Sequence, residues 1–504
     1  MATFIRSSAF STLAGILSLA FGFAGSVIVA RLLGPQGSGE VAFALFIAMT
    51  ASTLVGLGLP NLLLRYIPTY DRPGHPGGGL ARVLLPYFLV PTVLVAAGLV
   101  AYALWLQVTG HVTEHAPSTW AMTSLILLSY AIASLSESAA RGLNRFAETT
   151  RLTFIGCLIQ LPLIAIGGYL FGVAGALAGH VGRHLPQALG LWRYIAQKPD
   201  PGIVVTPKMK ALGRDSWFSA AVGMFIWTRM EFFFLGLYFG TTEIGHYAAG
   251  LTLAGLVVQL PTQMLGGLTP HIGRHHDSGD LDRIRLTYHR IMRWLSLLIL
   301  PICFGGAAIM GELLPLLFGP DFRESVPMAQ VLVGFAFITA LTTVPTIIIG
   351  ACERSGFFVY ASPITAVVSM ASFALIIPEG AGLGSAWART AVHGLWLTWL
   401  IAFCWMRLRI GLNVKDLLLI ALAALVCAAV AYGILLEIQG LVGLVLAVAS
   451  AALVYAIALR LLRVVPHNDV VALATNLPSK LPRRLSDLIY RLLLLVVPTR
   501  RSDD

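Results

Sequence analysis

Apolar runs of about twenty residues recur along the whole chain, separated by short segments that carry the Gly, Pro and charge. The runs fall at 9–30, 41–63, 82–106, 119–140, 151–170, 172–194, 216–239, 246–268, 289–316, 327–349, 357–377, 383–406, 415–436 and 440–462. Each is long enough to cross a hydrocarbon layer of roughly 30 Å as a helix. Barrel strands would alternate polar and apolar residues at about half that length, and this chain does not. The pattern therefore predicts an all-α integral membrane protein of about 14 transmembrane helices. The short connections leave no room for a sizeable soluble domain.

Composition agrees. The 504 residues are 57% hydrophobic and 11% charged, against roughly 25% charged in soluble domains, and the mean hydropathy is +0.82. The first run follows a single basic residue, Arg6, and is long for a signal-peptide core, so a retained helix is expected. The five cysteines lie in or beside spans without a CxxC spacing. That pattern indicates neither a disulfide framework nor a zinc site.

Charge sets the orientation. With the N-terminus inside, 29 of the 34 Lys and Arg fall on the inner side and only Arg31 and Arg323 outside, while Arg183, Arg229 and Arg389 lie within spans. Such asymmetry predicts cytoplasmic N- and C-termini. It also accounts for most of the net +11 as a surface facing anionic lipid, and no nucleic-acid partner is expected.

The two halves match each other. "LLGPQGSGEVAFAL" (32–45) aligns with "YFGTTEIGHYAAGL" (238–251), pairing Gly34 with Gly240 and Gly39 with Gly245. "RGLNR" (141–145) aligns with "IGACER" (349–354), "GHVTEHAP" (110–117) with "GPDFRESVP" (319–327), and "FGVAGALAG" (171–179) with "GAGLGSAWA" (380–388). The offsets stay between 206 and 210 residues. An even number of spans per repeat gives two parallel six-helix lobes, a transporter plan. The expected divisions are an N-lobe over 8–200, a C-lobe over 213–406, two extra helices over 414–463 and a cytoplasmic tail over 464–504. In that tail "PRRLSDLIYRLLLLVV" (482–497) reads as an amphipathic interfacial helix.

"ARLLGPQGSGEVAFAL" (30–45) and "TRMEFFFLGLYFGTTEIGHYAAGLTL" (228–253) resemble the MOP flippase superfamily, in particular its polysaccharide (Wzx-like, O-antigen) branch. The second stretch is similar to a family pattern carried here by Arg229, Glu231, Gly240, Gly245 and Tyr247. The resemblance implies twelve to fourteen helices in two lobes of a bacterial inner-membrane protein. It implies transport of a polyprenyl-diphosphate-linked oligosaccharide from the inner to the outer leaflet, through a central cationic cavity. It also implies partners in the membrane lipids, a polysaccharide polymerase and glycosyltransferases. No cofactor, catalytic residue or metal ligand is expected; H+, Na+ or the membrane potential would supply the energy.

The residues offer their own case for such a cavity. His180, Arg183, His184 and Gln187 lie within an arc of about 100° on one helix, a polar stripe in an apolar span. At an offset of 209, Arg389 and His393 repeat the positions of His180 and His184. Arg229 and Glu231 add charge to the seventh span. A charge at mid-bilayer costs about 2.5–3.5 kcal/mol on insertion scales, so recurrence in both halves points to use. Arg presents a fork that matches phosphate oxygens. The structural alternative is that Arg229 pairs with Glu231 or another carboxylate, and that each His bonds a backbone carbonyl.

Other motifs lead nowhere. "HVTEH" (111–115) matches a zinc-peptidase pattern but lies between Gly110 and Pro117 in a loop. "GPQGSGE" (34–40) has Glu40 where a phosphate loop needs lysine. "HIGRHH" (271–276) reads as a solvated cytoplasmic face. The alternatives to an oligosaccharide flippase are a lipid II flippase and, from another class, a membrane glycosyltransferase (polysaccharide polymerase or ligase); a cation or drug exporter of the MATE branch would use acidic residues that the interiors of the first two spans lack. The first lacks support in the uncharged span 7–30. The second needs a long outer loop, and the longest here holds about a dozen residues.

Overall fold

Lipid offers the backbone no hydrogen-bond partners, so spanning segments satisfy their own N–H and C=O groups as helices. The computed structural model of the chain describes residues 2–71, 77–111, 113–197, 203–263, 265 and 268–464, and among them there is no strand. The expected interfacial helix at 482–497 lies outside the described residues.

The helices run α1 (Ala2–Val55), α2 (Leu59–Tyr70), α3 (Gly79–Thr109), α4 (Pro117–Gly142), α5 (Phe146–Gly190), α6 (Trp192–Ile195), α7 (Pro207–Trp227), α8 (Glu231–Tyr238) and α9 (Thr241–Gln263). They continue as α10 (Leu268–Asp277), α11 (Leu281–Ala308), α12 (Met310–Phe318), α13 (Val326–Gly334), α14 (Ala336–Leu341) and α15 (Thr343–Ala351). The series ends with α16 (Gly356–Leu408), α17 (Val414–Glu437) and α18 (Gly440–Leu462). Among the described residues nine stretches are long and apolar enough to cross a membrane, or ten if α7 and α8, bent by 54°, form one broken span. Three of these are two spans each, because α1, α5 and α16 break at Gly34, Gly172 and Ala381. With α9 added, the fourteen apolar runs are all accounted for.

The breaks also carry the repeat. Left-handed backbone at Gly110, Asn144 and Gly172 recurs at Gly319, Glu353 and Ala381, each 209 residues on, and at Gly34 it recurs at Gly240, 206 residues on. Equivalent chain reversals thus fall at the offsets seen in the sequence. At Ala381 a side chain takes a conformation that costs L-residues roughly 1–2 kcal/mol. The freed N–H of the next residue, Gly382, is satisfied by Glu243 Oε1 at 2.7 Å.

The chain forms two compact units. The first comprises Met1–Thr252, Leu317–Glu324 and Gly356–Val392; the second comprises Leu253–Leu316, Ser325–Ser355 and His393–Asp504. In the first, one core joins Leu62, Leu63 and Ile67 of α2 to Leu80, Leu84 and Phe88 of α3, Leu135 of α4 and Tyr194 of α6. Another joins Val29, Val41 and Ala48 of α1 to Ile126 and Leu127 of α4 and to Ile164 and Ala176 of α5. In the second unit, α17 and α18 are fastened to α11. Arg293 contacts Asp416 Oδ2 at 2.6 Å through Nε and Nη2. His289 Nε2 meets the Gly411 carbonyl at 2.7 Å, and Tyr455 donates to the Leu297 carbonyl at 2.8 Å.

Candidate functional site

Two polar clusters lie within apolar helices of the first unit. The α5 hairpin builds the first. Its limbs fold back at Gly172 and pack backbone to backbone: a Cβ on Gly175 would overlap the Gly167 carbonyl, and one on Gly156 would overlap the carbonyl of Arg183. Only the missing side chain at Gly156 lets the Arg183 backbone sit there. Arg183 lies eleven residues past the Gly172 break, about 16 Å down the helix at 1.5 Å per residue.

All the hydrogen-bond partners of Arg183 among the described residues are neutral. Nη1 donates to Gln160 Oε1 at 3.1 Å and Nη2 to the Ser18 carbonyl at 3.4 Å. Gly22 of α1 adds no bulk: a Cβ there would stand 3.5 Å from Nη1. Gln160 is fully buried, and its Nε2 stands 3.5 Å from His180 Nδ1. No carboxylate lies within ion-pair distance of Arg183 among the described residues.

The rest of the stripe turns away from the guanidinium. The His184 ring stands edge-on to Tyr130 of α4 at 5.0 Å. Gln187 is buried, and its Nε2 donates to Ser136 Oγ at 3.4 Å. The four residues therefore fan over α4 and the first limb of α5. His180 and Arg183 share Gln160; His184 and Gln187 belong to the α4 contact.

The second cluster forms where the seventh span breaks. α7 ends at Trp227, α8 starts at Glu231, and Arg229 sits between them. Glu231 has no exposed surface. Its Oε1 accepts from Arg389 Nη1 at 2.5 Å and from the Tyr247 hydroxyl at 3.3 Å. Its Oε2 is buried with no hydrogen-bond partner among the described residues. Arg229 takes no part in that pair. Its guanidinium lies over the Phe232 ring, 5.5 Å from the centroid, and it makes no ion pair among the described residues. The carboxylate expected beside Arg229 thus belongs to Arg389. His393 is part of the second unit, where it is buried and bonds Thr339 Oγ1 at 2.6 Å through Nδ1.

Charge follows from this geometry. The first cluster holds one guanidinium and no carboxylate. The second holds two guanidiniums and one carboxylate. Among the described residues each cluster thus holds one more guanidinium than carboxylate. In a low-dielectric surrounding such a charge attracts an anion far more strongly than it would in water, and Arg offers it paired N–H donors.

Elsewhere in the same unit the two matched turns meet. A Cβ on Gly39 would overlap the Thr241 carbonyl, and one on Gly245 would overlap the Pro35 carbonyl. A Cβ on Gly240 would stand 2.5 Å from Glu114 Oε1. Beside this contact Glu40 Oε1 caps α4, accepting from Thr119 Oγ1 at 2.5 Å and from the Ala116 N–H at 3.3 Å. His115 stacks on Phe43 at 4.7 Å. Burial lowers the His115 pKa, partly offset by Glu40 and Glu114. His115 of the "HVTEH" stretch thus packs on α1, and no group of three or more His, Cys, Asp or Glu among the described residues could hold a metal ion.

Sequence reasoning missed Gln160 and Ser18. Gln160 did leave a signal, a lone amide in an apolar span; Ser18 acts through its carbonyl and left none.

Known proteins share this architecture. The lipid II flippase MurJ in an inward closed conformation superposes with a TM-score of 0.72 at 13% identity, over 89% of this chain and 97% of that one. An inward-facing multidrug resistance MATE family transporter of the MOP superfamily gives a TM-score of 0.59 at 15% identity, over 78% and 94%. A MOP superfamily transporter from Pyrococcus furiosus gives 0.56 at 14%, over 81% and 95%. At these identities the likeness is one of fold. No curated protein matches the chain in sequence. Residues 28–327 match the family described as polysaccharide biosynthesis protein. That match spans more than half of the 504 residues, so the chain belongs to the polysaccharide biosynthesis protein family, on the membrane fold of the MOP superfamily transporters.

Proposed function

We propose that this protein is a flippase that moves a polyprenyl-diphosphate-linked oligosaccharide, an O-antigen or exopolysaccharide repeat unit, from the inner to the outer leaflet of a bacterial cytoplasmic membrane. The observation that carries the reading is Arg183, a guanidinium deep in an apolar span whose hydrogen-bond partners among the described residues are all neutral. Such a charge is costly unless an anion comes to it, and a diphosphate is an anion whose oxygens match its fork. Arg229, without an ion pair among the described residues, is the second cationic contact.

Arg389 has another role in this account. It neutralises Glu231 and holds α16 to α8, while Tyr247 adds a third side chain to the same carboxylate. Gln160 and His180 orient Arg183. His184, Gln187 and His393 pack and hydrogen-bond within their own units. The halves 8–200 and 213–406 act as the two lobes of an alternating-access cycle, with both termini cytoplasmic by the charge asymmetry. The contact of Gly39 with Thr241 closes the outer side and parts to release cargo to a polymerase. H+, Na+ or the membrane potential drives the cycle.

The fold likeness to a lipid II flippase favours a second reading in which lipid II is the cargo. One experiment separates the two. The protein is depleted in its native host and the polyprenyl-linked glycans of the cytoplasmic leaflet are analysed by mass spectrometry. Accumulation of a polyprenyl-diphosphate oligosaccharide supports the first reading, and accumulation of lipid II replaces it with the second. Unchanged levels of both contradict the flippase reading.

A further inference from the structure

The breaks that divide α5 and α16 share one backbone form but not one residue type. Gly172 has φ 60° and ψ −136°; Ala381 has φ 47° and ψ −140°. Glycine takes this left-handed form freely, and a side chain makes it strained. Crowding does not explain the glycine of the first half, since a Cβ on Gly172 would meet nothing within 4 Å; the backbone form itself asks for it. The second half carries alanine at that place, although glycines flank it in "EGAGLG" (379–384).

Two side chains accompany that alanine. Glu243, in the first turn of α9, accepts through Oε1 from the Gly382 N–H at 2.7 Å, from 139 residues away in the chain. Ser385 Oγ donates to the Ala381 carbonyl at 3.0 Å. Both polar ends of the Ala381–Gly382 peptide group are therefore held, and with them the ψ of Ala381. The carboxylate bond is charge-assisted and is the stronger of the two. In the first half none of these three residues recurs. Gly172 stands at the place of Ala381 and Ala176 at that of Ser385, each 209 residues back, and Gly37 at that of Glu243, 206 residues back. A relaxed break without a carboxylate thus matches a strained break with one. Deeper in the unit both limbs of α16 are fastened: Ser369 of the first donates to the Phe225 carbonyl at 2.8 Å, and Arg389 of the second to Glu231. The turn at the break is what remains free to change.

We propose that Glu243, Ala381 and Ser385 form a latched hinge at the break of α16. The Glu243 carboxylate holds the Ala381–Gly382 peptide group in its strained orientation. When the first turn of α9 withdraws, the left-handed conformation passes to Gly380 or Gly382, which adopt it without strain, and the two limbs change their angle at the turn. Hinges of this kind confine a large φ/ψ change to a few residues at the ends of elements. In the cycle proposed above, α9 withdraws when Thr241 parts from Gly39; on that reading the hinge carries the opening of that contact into α16. The α5 break, already relaxed at Gly172, has no strain to release and is the fixed counterpart.

The test measures the distance between spin labels on the two limbs of the full-length protein in lipid nanodiscs, by pulsed electron resonance and without cargo. The labels are attached at Leu375→Cys and Ala391→Cys, both exposed positions; the five native cysteines are buried and stay in place. The protein that is otherwise wild type is expected to give one main distance. Glu243→Ala is expected to raise the population of a second distance at least tenfold, and Glu243→Gln, which keeps an acceptor oxygen, to raise it far less. Adding Ala381→Gly to Glu243→Ala is expected to restore the single distance, because the break then needs no latch. A single distance in Glu243→Ala, or a second distance that Ala381→Gly does not remove, would overturn the proposal. If Glu243→Ala does not fold, Ala381→Gly alone decides: its thermal unfolding midpoint is expected above that of wild type, and an equal or lower midpoint would overturn the strain on which the hinge depends. Because no cargo is present, these results stand or fall apart from the flippase reading, which the glycan analysis tests.

Discussion

Arg183 and Arg389 lie in the same unit, each near the middle of a span that starts at a left-handed break, yet they are held in opposite ways. Arg183 donates to an amide oxygen and a carbonyl. Arg389 donates to Glu231, a carboxylate with no exposed surface. An ion pair taken out of water offsets much of its own desolvation cost, and it punishes removal of either partner. A guanidinium among neutral acceptors keeps its field available to whatever enters. The comparison teaches that a buried charge in a transporter is assigned by its partners and not by its depth. By that standard the proposed function assigns Arg389 to holding the structure and Arg183 to meeting the cargo.

The largest expected effect falls on the paired site. Arg389→Ala leaves Glu231 buried without its cation, and the loss of stability is expected to be about 3–5 kcal/mol. Thermal unfolding in detergent checks this, as a marked drop in the midpoint. Removing both charges, with Arg389→Leu and Glu231→Leu together, is expected to restore most of that loss, because no uncompensated charge remains. If the double variant is no more stable than the single one, the pair is not what Arg389 is for.

A smaller effect is expected where Arg183 is positioned. Gly156→Val drives a side chain into the Arg183 carbonyl, and overpacking of this kind costs about 1–3 kcal/mol. Export is expected to fall with stability, since the two limbs of α5 must separate. Gln160→Ala is gentler. It removes the acceptor of Arg183 Nη1 without overpacking the hairpin, and export is expected to fall several-fold while the protein still inserts. Wild-type export by Gln160→Ala would show that Arg183 needs no orienting partner.

Much of the fold was legible in the sequence, because a bilayer leaves an apolar run of twenty residues little choice but a helix. The run at 440–462 coincides with α18. The aligned glycine segments mark real reversals, since left-handed backbone at Gly34, Gly110 and Gly172 recurs at the matched positions. The site was legible only in part. Hydropathy exposed Arg183, Arg229, Glu231 and Arg389, because charge in an apolar run stands out. Their pairing was not legible: Arg389 lies 158 residues from Glu231, while Arg229, two residues from that carboxylate, is not its partner. The helical stripe placed Gln187 beside Arg183, yet crossing helices divide one face among several neighbours, and Gln187 meets Ser136 of α4.

The most direct measurement of the central claim compares export of lipid-linked oligosaccharide by three variants that insert at equal levels: Arg183→Ala, Arg183→Lys, and the double Arg389→Leu with Glu231→Leu. A charge-assisted hydrogen bond contributes about 1.5–3 kcal/mol, so Arg183→Ala is predicted to lose roughly ten- to a hundred-fold in export. Arg183→Lys is predicted to retain a part, and the double variant to stay near wild type. Full export by Arg183→Ala together with loss in the double variant would contradict the account and move the cargo contact to Arg389.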